Sequence, residues 1–326
     1  MKKIAHFIVH SKAAPLIAAL LCLFMWGYTS AQDNTHGWSV ALPYISLLAY
    51  VLVGCLLIRI NSKFDFNSKR STFPVTLLFL CCAINPQLDT WDRGMVILLL
   101  MTSAISIILH TYRRRHSMGS YFMAFCLMSI GSLYIPQLLY LMPVLLLCCK
   151  LMQSLHIRST FAALLGVLLP YWTAFCVLFL TDNTQRIKPF VELLTSGYSH
   201  SFTQLLIPIG DSYTLTLPTI AIQIFWLLLL ITPAATTLLY TVSQRVQTRA
   251  AMFLQCTMAI ALIIASLILP SLYEPLQPTI ILLSALIGST LFIGQGSRGQ
   301  NIWLVILLLL WLLIASLYLW NSFSTF

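Results

Sequence analysis

Apolar residues occur in long, nearly uninterrupted runs along the whole chain, and short polar segments separate them. About 20 apolar residues cross the hydrocarbon core of a bilayer as a helix, so each run predicts a membrane span. The eleven predicted spans are 13–31, 38–58, 73–87, 94–110, 121–135, 137–149, 160–180, 217–241, 250–269, 276–293 and 302–320. The pattern predicts an all-α, polytopic helical membrane protein with a single integral membrane domain over residues 1–326.

Composition excludes a soluble globular protein. Of 326 residues, 59% are hydrophobic and only 8% are charged, and the mean hydropathy is +0.90. The net charge of +10 does not indicate nucleic acid binding, because the basic residues lie in short loops between apolar runs, where they act as orientation signals. The first expected partner is therefore the lipid bilayer.

Charge sorting predicts the orientation. With the N-terminus inside, all lysines and arginines except Arg93, Arg186 and Lys188 lie on the cytoplasmic side. The acidic residues sort the opposite way, and Asp65 alone lies inside. The C-terminus is then outside, and the expected location is the bacterial inner (cytoplasmic) membrane.

The first apolar run has two interpretations. Lys2, Lys3 and Lys12 precede it and Thr29–Ala31 provides small residues, as in a cleaved signal peptide. Its length, with Trp26 where an interfacial aromatic belt would lie, favours a retained span. Both interpretations leave the downstream topology unchanged.

Three predicted spans, 73–87, 121–135 and 137–149, are short. Residues 119–149 fit the charges either as two passes of about 15 residues or as a re-entrant hairpin, because about 22 Å of helix is less than the roughly 30 Å hydrocarbon core. The turn is expected near Tyr134–Gln137, since Pro136 cannot donate a backbone hydrogen bond and disfavours helix before it. The span 73–87 is similarly short: it begins at Pro74 and ends at Asn85-Pro86.

The longest outer loop covers residues 181–216. Within it, residues 189–206 carry apolar positions at helical spacing, broken at Gly197. We expect an amphipathic helix in the outer membrane interface, whether as a simple lid or as part of a site.

Cysteine and histidine spacing predicts no metal site and identifies no cofactor. The chain has no CxxC, HExxH or GxSxG motif, and its one GxGxxG match, residues 294–299, joins two spans without a preceding strand. The cysteines all lie in or against apolar runs, where free cysteine acts as a small packing residue; they are Cys22, Cys55, Cys81, Cys82, Cys126, Cys148, Cys149, Cys176 and Cys256.

Outer carboxylates are the candidate catalytic groups. Asp89 and Asp92 form a DxxD just beyond the short third span, and Asp33 follows the first span. Residues three apart share a helix face, so Asp89 and Asp92 could bind a divalent cation or act as a general base. The alternative is that all three are solvated residues of a wet loop.

A polar route through the spans would have to use neutral groups. No predicted span contains Asp, Glu, Lys or Arg, which counts against ion-coupled transport. The candidate cavity-lining residues beside the expected turn are Ser132, Tyr134, Gln137 and Tyr140. A partner protein could instead pack on the small residues Ala162 and Gly166.

The stretch from Tyr121 to Tyr171 resembles a family of uncharacterised multi-pass inner-membrane proteins typical of Bacteroidetes. The resemblance lies in the turn with Gly131, Tyr134 and Pro136, in the loop bearing Arg158, and in Gly166-xxx-Pro170. It implies the multi-pass fold and carries over no catalytic residue. At the level of fold the chain is also similar to C-type membrane glycosyltransferases, although its first outer loop, 32–37, is shorter than theirs.

Three function classes remain at this point. They are a membrane enzyme acting on a lipid-linked substrate at the outer face, a non-catalytic partner in an envelope complex, and an uncoupled carrier or channel. The sequence does not decide whether the protein is an enzyme.

Overall fold

The computed structural model is built from helices, so the predicted fold class is confirmed for the part of the chain that it describes. That part comprises residues 13–32, 42–64, 72–85, 93–113, 117–182, 246–268, 273–293 and 305–316, with the single positions 11, 88, 190, 192 and 225. The helices are α1 (Ala14–Gln32), α2 (Leu42–Phe64), α3 (Phe73–Ile84), α4 (Arg93–Leu109), α5 (Met118–Tyr134), α6 (Met142–Leu151), α7 (Ile157–Leu180), α8 (Val246–Ile268), α9 (Tyr273–Ile293) and α10 (Val305–Ser316), with a 3-10 helix at Pro136–Leu141.

Three of these helices contain segments long and apolar enough to cross a membrane: Tyr44–Ser62, Ile157–Leu180 and Val246–Ser266. The other apolar helices are shorter. The apolar helices indicate a membrane protein, and the total of eleven spans stays a prediction. The predicted span 217–241, except Phe225, and the predicted interfacial helix of loop 181–216, except Phe190 and Glu192, lie outside the described residues.

The turn expected after α5 is present. Ile135 caps α5 with an extended backbone (φ −132°, ψ 100°), its N–H donates to Gly131 O over 3.0 Å, and the 3-10 helix begins at Pro136. The 17 residues of α5 measure about 26 Å, and the 3-10 helix with α6 measures about 27 Å, because a 3-10 helix rises about 2.0 Å per residue. The segments on both sides of the turn are therefore longer than the 22 Å expected from the sequence. The first is longer because α5 begins earlier than predicted, and the second because part of it is a 3-10 helix.

The chain divides into two compact units. The first contains residues 1–91, 212–252 and 281–326, and the second contains residues 92–211 and 253–280. In the first unit α3 packs against α1 and α2. In the second unit α5 packs against α4 and α7.

The α5–α7 contact is unusually close. A Cβ atom placed on Gly166 would lie 2.5 Å from the carbonyl oxygen of Phe122, so only glycine permits this approach. The packed face of α7 consists of Ser159, Ala163, Gly166 and Pro170, which recur at helical spacing.

This packing corrects the small-residue face expected from the sequence. Ala163, and not Ala162, shares the buried face with Gly166, since Ala162 lies one position around the helix and is half-buried. Gly166 is covered by α5 of the same chain and is not open to a partner protein.

Candidate functional site

The three candidate carboxylates, Asp33, Asp89 and Asp92, lie outside the described residues. The structure does describe the helices that precede them. Asp33 directly follows α1, and Asp89 comes five residues after the end of α3. The end of α3 is therefore the described part of this candidate site.

Helix α3 is short and enclosed by protein. Its 12 residues measure about 18 Å, well below the thickness of a hydrocarbon core. Every residue except the half-buried Leu80 is buried. The sequence explains where the helix begins and where it ends. Pro74 occupies the first turn, where proline is tolerated, and Asn85-Pro86 ends the helix.

Two tryptophans donate to carbonyl groups at the C-terminal end of α3. The indole Nε1–H of Trp26 in α1 donates to Cys82 O over 3.1 Å, and that of Trp311 in α10 donates to Leu80 O over 2.8 Å. The carbonyls of a last helical turn lack partners within their own helix, and lipid cannot satisfy them. The indole of Trp26 therefore provides a partner that a helix ending inside apolar surroundings requires.

Asn85 caps α3 with a polar side chain that is 3% exposed. Its backbone N–H donates to Cys82 O over 3.2 Å, while its side-chain Nδ2 has no hydrogen-bond partner in the part of the chain described. A buried amide without a partner is unfavourable by about 1–3 kcal/mol. This donor lies four residues before Asp89 and is available to an anionic or carbonyl oxygen.

A second polar group lies between α5 and α7. The Ser132 hydroxyl donates to Ser129 O over 2.7 Å and pairs with the Tyr171 hydroxyl at 2.6 Å. Ser129 donates to Val167 O over 2.8 Å, and the Tyr171 ring contacts Phe190, which follows α7 in the chain, at 6.0 Å between centroids. The Ser132 hydroxyl thus serves to join two helices.

The four predicted cavity-lining residues differ in environment. Ser132 and Gln137 are buried, Tyr140 is half-buried and Tyr134 is 57% exposed. A Cβ atom placed on the neighbouring Gly131 would lie 3.5 Å from Leu138 and 3.6 Å from Leu100. The structure therefore brings Ser132 and Tyr171 together, and does not give the four residues a common environment.

The polar side chains buried in the described segments are uncharged: they are serines, threonines, asparagines and glutamines, together with the hydroxyl groups of Tyr50 and Tyr121. The described residues contain no cluster of three or more histidine, cysteine or acidic side chains that could hold a metal ion. This part of the chain thus offers hydrogen-bonding groups for a ligand and no metal centre.

Three polar groups were not predicted from the sequence: the buried amides of Asn85 and Gln255 and the half-buried hydroxyl of Tyr171. Gln255 in α8 is buried, and neither Nε2 nor Oε1 has a hydrogen-bond partner in the described part of the chain. The signal available in the sequence for Asn85 and Gln255 is an amide inside or at the end of an apolar run.

Comparison with protein-family models, with curated proteins and with solved structures finds no match to this chain.

Proposed function

We propose that this protein is a multi-pass inner-membrane enzyme that acts on a lipid-linked substrate at the outer face of the membrane. Asp89 and Asp92 are its reacting carboxylates, and Asp33 lies at the same face. The N-terminus is inside and the C-terminus outside, across eleven spans. Charge sorting along the sequence supports this orientation.

The observation that carries the proposal is the early end of α3. If its N-terminus lies at the inner edge of the hydrocarbon core, 18 Å of helix ends about 12 Å below the outer edge. Residues 85–92 then start inside the membrane region and return to the outer surface. Backbone of this kind is tolerated only where it is covered by protein or lines a wet cavity.

The side chain of Asn85 provides a chemical reason to propose a substrate with an anionic head group. Its unpartnered Nδ2 is a neutral donor that can bind an anionic oxygen without adding a charge within the membrane. A lipid-linked phosphate has such oxygens, and the nearby carboxylates can bind a divalent cation or act as a general base. A lipid with a phosphate-bearing head group, which enters the site from the membrane, is the substrate that best fits these groups.

The experiment is a lipid analysis in the native bacterial host. Membranes of a strain without the protein should accumulate a lipid-linked species, detected by mass spectrometry of extracted lipids. Expression of the wild type should remove it, whereas the double variant Asp89→Asn, Asp92→Asn should not, at equal protein abundance.

Asp182→Asn is the matched control, because Asp182 is an exposed outer acid after α7. Full removal of the accumulated lipid by the double variant contradicts a catalytic role for Asp89 and Asp92. A deletion strain with unchanged lipids contradicts the enzyme proposal as a whole.

A non-catalytic partner role is the second candidate, and α7 favours it. Only 17% of its most apolar 18-residue segment is buried by the rest of the chain. On its exposed face, Phe175 is in ring contact with Trp172 and with Phe179. Co-purification of a stoichiometric membrane protein that is lost in a Trp172→Ala, Phe179→Ala variant would support this role. A monodisperse single protein from mild detergent would contradict it.

A further inference from the structure

Arg113 is held in a fixed position at the end of the second unit where α4 and α6 terminate. Its backbone N–H donates to Met152 O over 3.3 Å, and its Nε donates to Gln153 Oε1 over 3.2 Å. Its guanidinium carbon lies 5.6 Å from the centre of the Tyr112 ring. The guanidinium is therefore oriented by two neighbouring side chains although Arg113 is exposed.

Both residues of the Arg113–Gln153 pair have a left-handed backbone, each with φ of 53°. Glycine adopts this conformation without strain, whereas other residues are disfavoured by about 1 kcal/mol. Beneath the pair, Thr111 and Tyr121 both hydrogen-bond to the buried Ser154 hydroxyl. The helix ends are thus fixed by backbone and side-chain bonds together.

Among the described residues, Gln153 and Tyr112 are the side chains that contact the guanidinium. Within the described residues Arg113 makes no ion pair, and no hydrogen bond involves its two terminal nitrogens. Lys150, exposed in the last turn of α6, is a second cation of the same helix end, and its backbone carbonyl accepts the Gln153 N–H over 3.0 Å. A planar fork of N–H donors with a neighbouring ammonium group suits a phosphate.

Apolar surface continues from this end along α6. Leu147 and Leu151 are 52% and 38% exposed and, four residues apart, share one helix face. Leu151 precedes Gln153 by two residues. An acyl chain can lie on the leucines while its head group reaches Arg113, as in basic pockets at helix ends that bind anionic lipids.

We propose that Arg113, oriented by Gln153 and Tyr112 and assisted by Lys150, binds the phosphate of an anionic phospholipid whose acyl chain lies along Leu147 and Leu151. The site is independent of the outer carboxylates. It is formed by helix ends in one unit and needs no partner protein.

The test is native mass spectrometry of the full-length protein in detergent, titrated with phosphatidylglycerol and, separately, with phosphatidylcholine. The wild type should bind phosphatidylglycerol more tightly. Arg113→Gly should weaken that binding about tenfold, equivalent to about 1.4 kcal/mol. Arg113→Lys, which keeps the charge and loses the fork, should also weaken it. Arg158→Gln, an exposed cation at the start of α7, should change it less than twofold.

Folding and the source of the phosphate are tested in parallel. Because φ of 53° suits glycine, Arg113→Gly should melt at or above the wild-type temperature in the same neutral detergent without added lipid, so a loss of binding in this variant is not a loss of structure. Glycerol 3-phosphate at millimolar concentration should not displace phosphatidylglycerol; displacement identifies a soluble phosphate and overturns the lipid proposal. Equal losses in the Arg113 and Arg158 variants, or no preference over phosphatidylcholine, also overturn it.

Discussion

The indole N–H of Trp26 in α1 donates to the carbonyl oxygen of Cys82 in α3 over 3.1 Å, and both residues are fully buried. The Trp26 ring also contacts Tyr50 of α2, with 5.8 Å between ring centroids. One side chain therefore connects the three helices and provides a partner for a carbonyl near the end of α3. A helix that ends within apolar protein depends on such donors.

Trp26→Phe is expected to destabilise the protein by about 0.5–1.5 kcal/mol, because the Cys82 carbonyl loses its side-chain donor and keeps only the Asn85 N–H. The measurement is the melting temperature in a fixed detergent. Trp172→Phe is the control: Trp172 is 62% exposed on α7, and its replacement should leave the melting temperature nearly unchanged. An equal decrease in both variants would contradict the role assigned to the Trp26 hydrogen bond.

Local sequence signals predicted the helices and their breaks well. Apolar runs and the pairs Asn85-Pro86 and Ile135-Pro136 located the end of α3 and the turn after α5, because proline acts through its immediate neighbours. The donors to α3 were not predictable in this way. Trp311 reaches Leu80 across 231 positions of sequence, and an apolar run does not reveal which face of a membrane helix meets protein and which meets lipid.

Gly166→Ala is expected to separate α5 from α7. The added methyl group would lie 2.5 Å from Phe122 O, a backbone atom that cannot move without moving the helix. Overpacking of this kind destabilises by about 1–3 kcal/mol. A lower melting temperature checks the prediction.

Gly27→Ala is the matched control for that substitution, because nothing lies within 4 Å of a Cβ atom at Gly27 in α1. Alanine also has the higher helix propensity, by up to about 1 kcal/mol. Gly27→Ala should therefore leave the melting temperature unchanged or raise it. An unchanged melting temperature in Gly166→Ala would show that the α5–α7 contact is looser than described.

Gln255→Leu and Gln255→Met are both expected to raise the melting temperature. Neither atom of the buried Gln255 amide has a partner in the described part of the chain, so an apolar side chain of similar size removes an unfavourable burial of about 1–3 kcal/mol. A loss of stability in both variants would show that the amide is hydrogen-bonded, for example through a bound water or ligand. The measurement is the melting temperature of the wild type and of both variants. It is repeated after detergent exchange, which removes a loosely bound ligand.

The hydroxyl pair of Ser132 and Tyr171 is expected to be coupled. Ser132→Ala and Tyr171→Phe each remove one side of a 2.6 Å hydrogen bond between α5 and α7, and each should destabilise the protein by about 0.5–1.5 kcal/mol. The double variant should lose less than the sum of the two, since the second substitution then removes a group already without this partner. A strictly additive loss would contradict the pairing.

Fusion reporters test the proposed orientation. Alkaline phosphatase folds only outside the inner membrane, and green fluorescent protein, exported unfolded, fluoresces only inside. The proposed orientation places Arg113 and the arginines that follow it on the inner side, because basic residues are retained there, and Asp182, which follows α7, on the outer side. A fusion after Arg115 should fluoresce without phosphatase activity, and a fusion after Asp182 should show the reverse. The same reporter active at both positions would contradict an odd number of crossings between them and, with it, the placement of the Asp89 and Asp92 segment at the outer face.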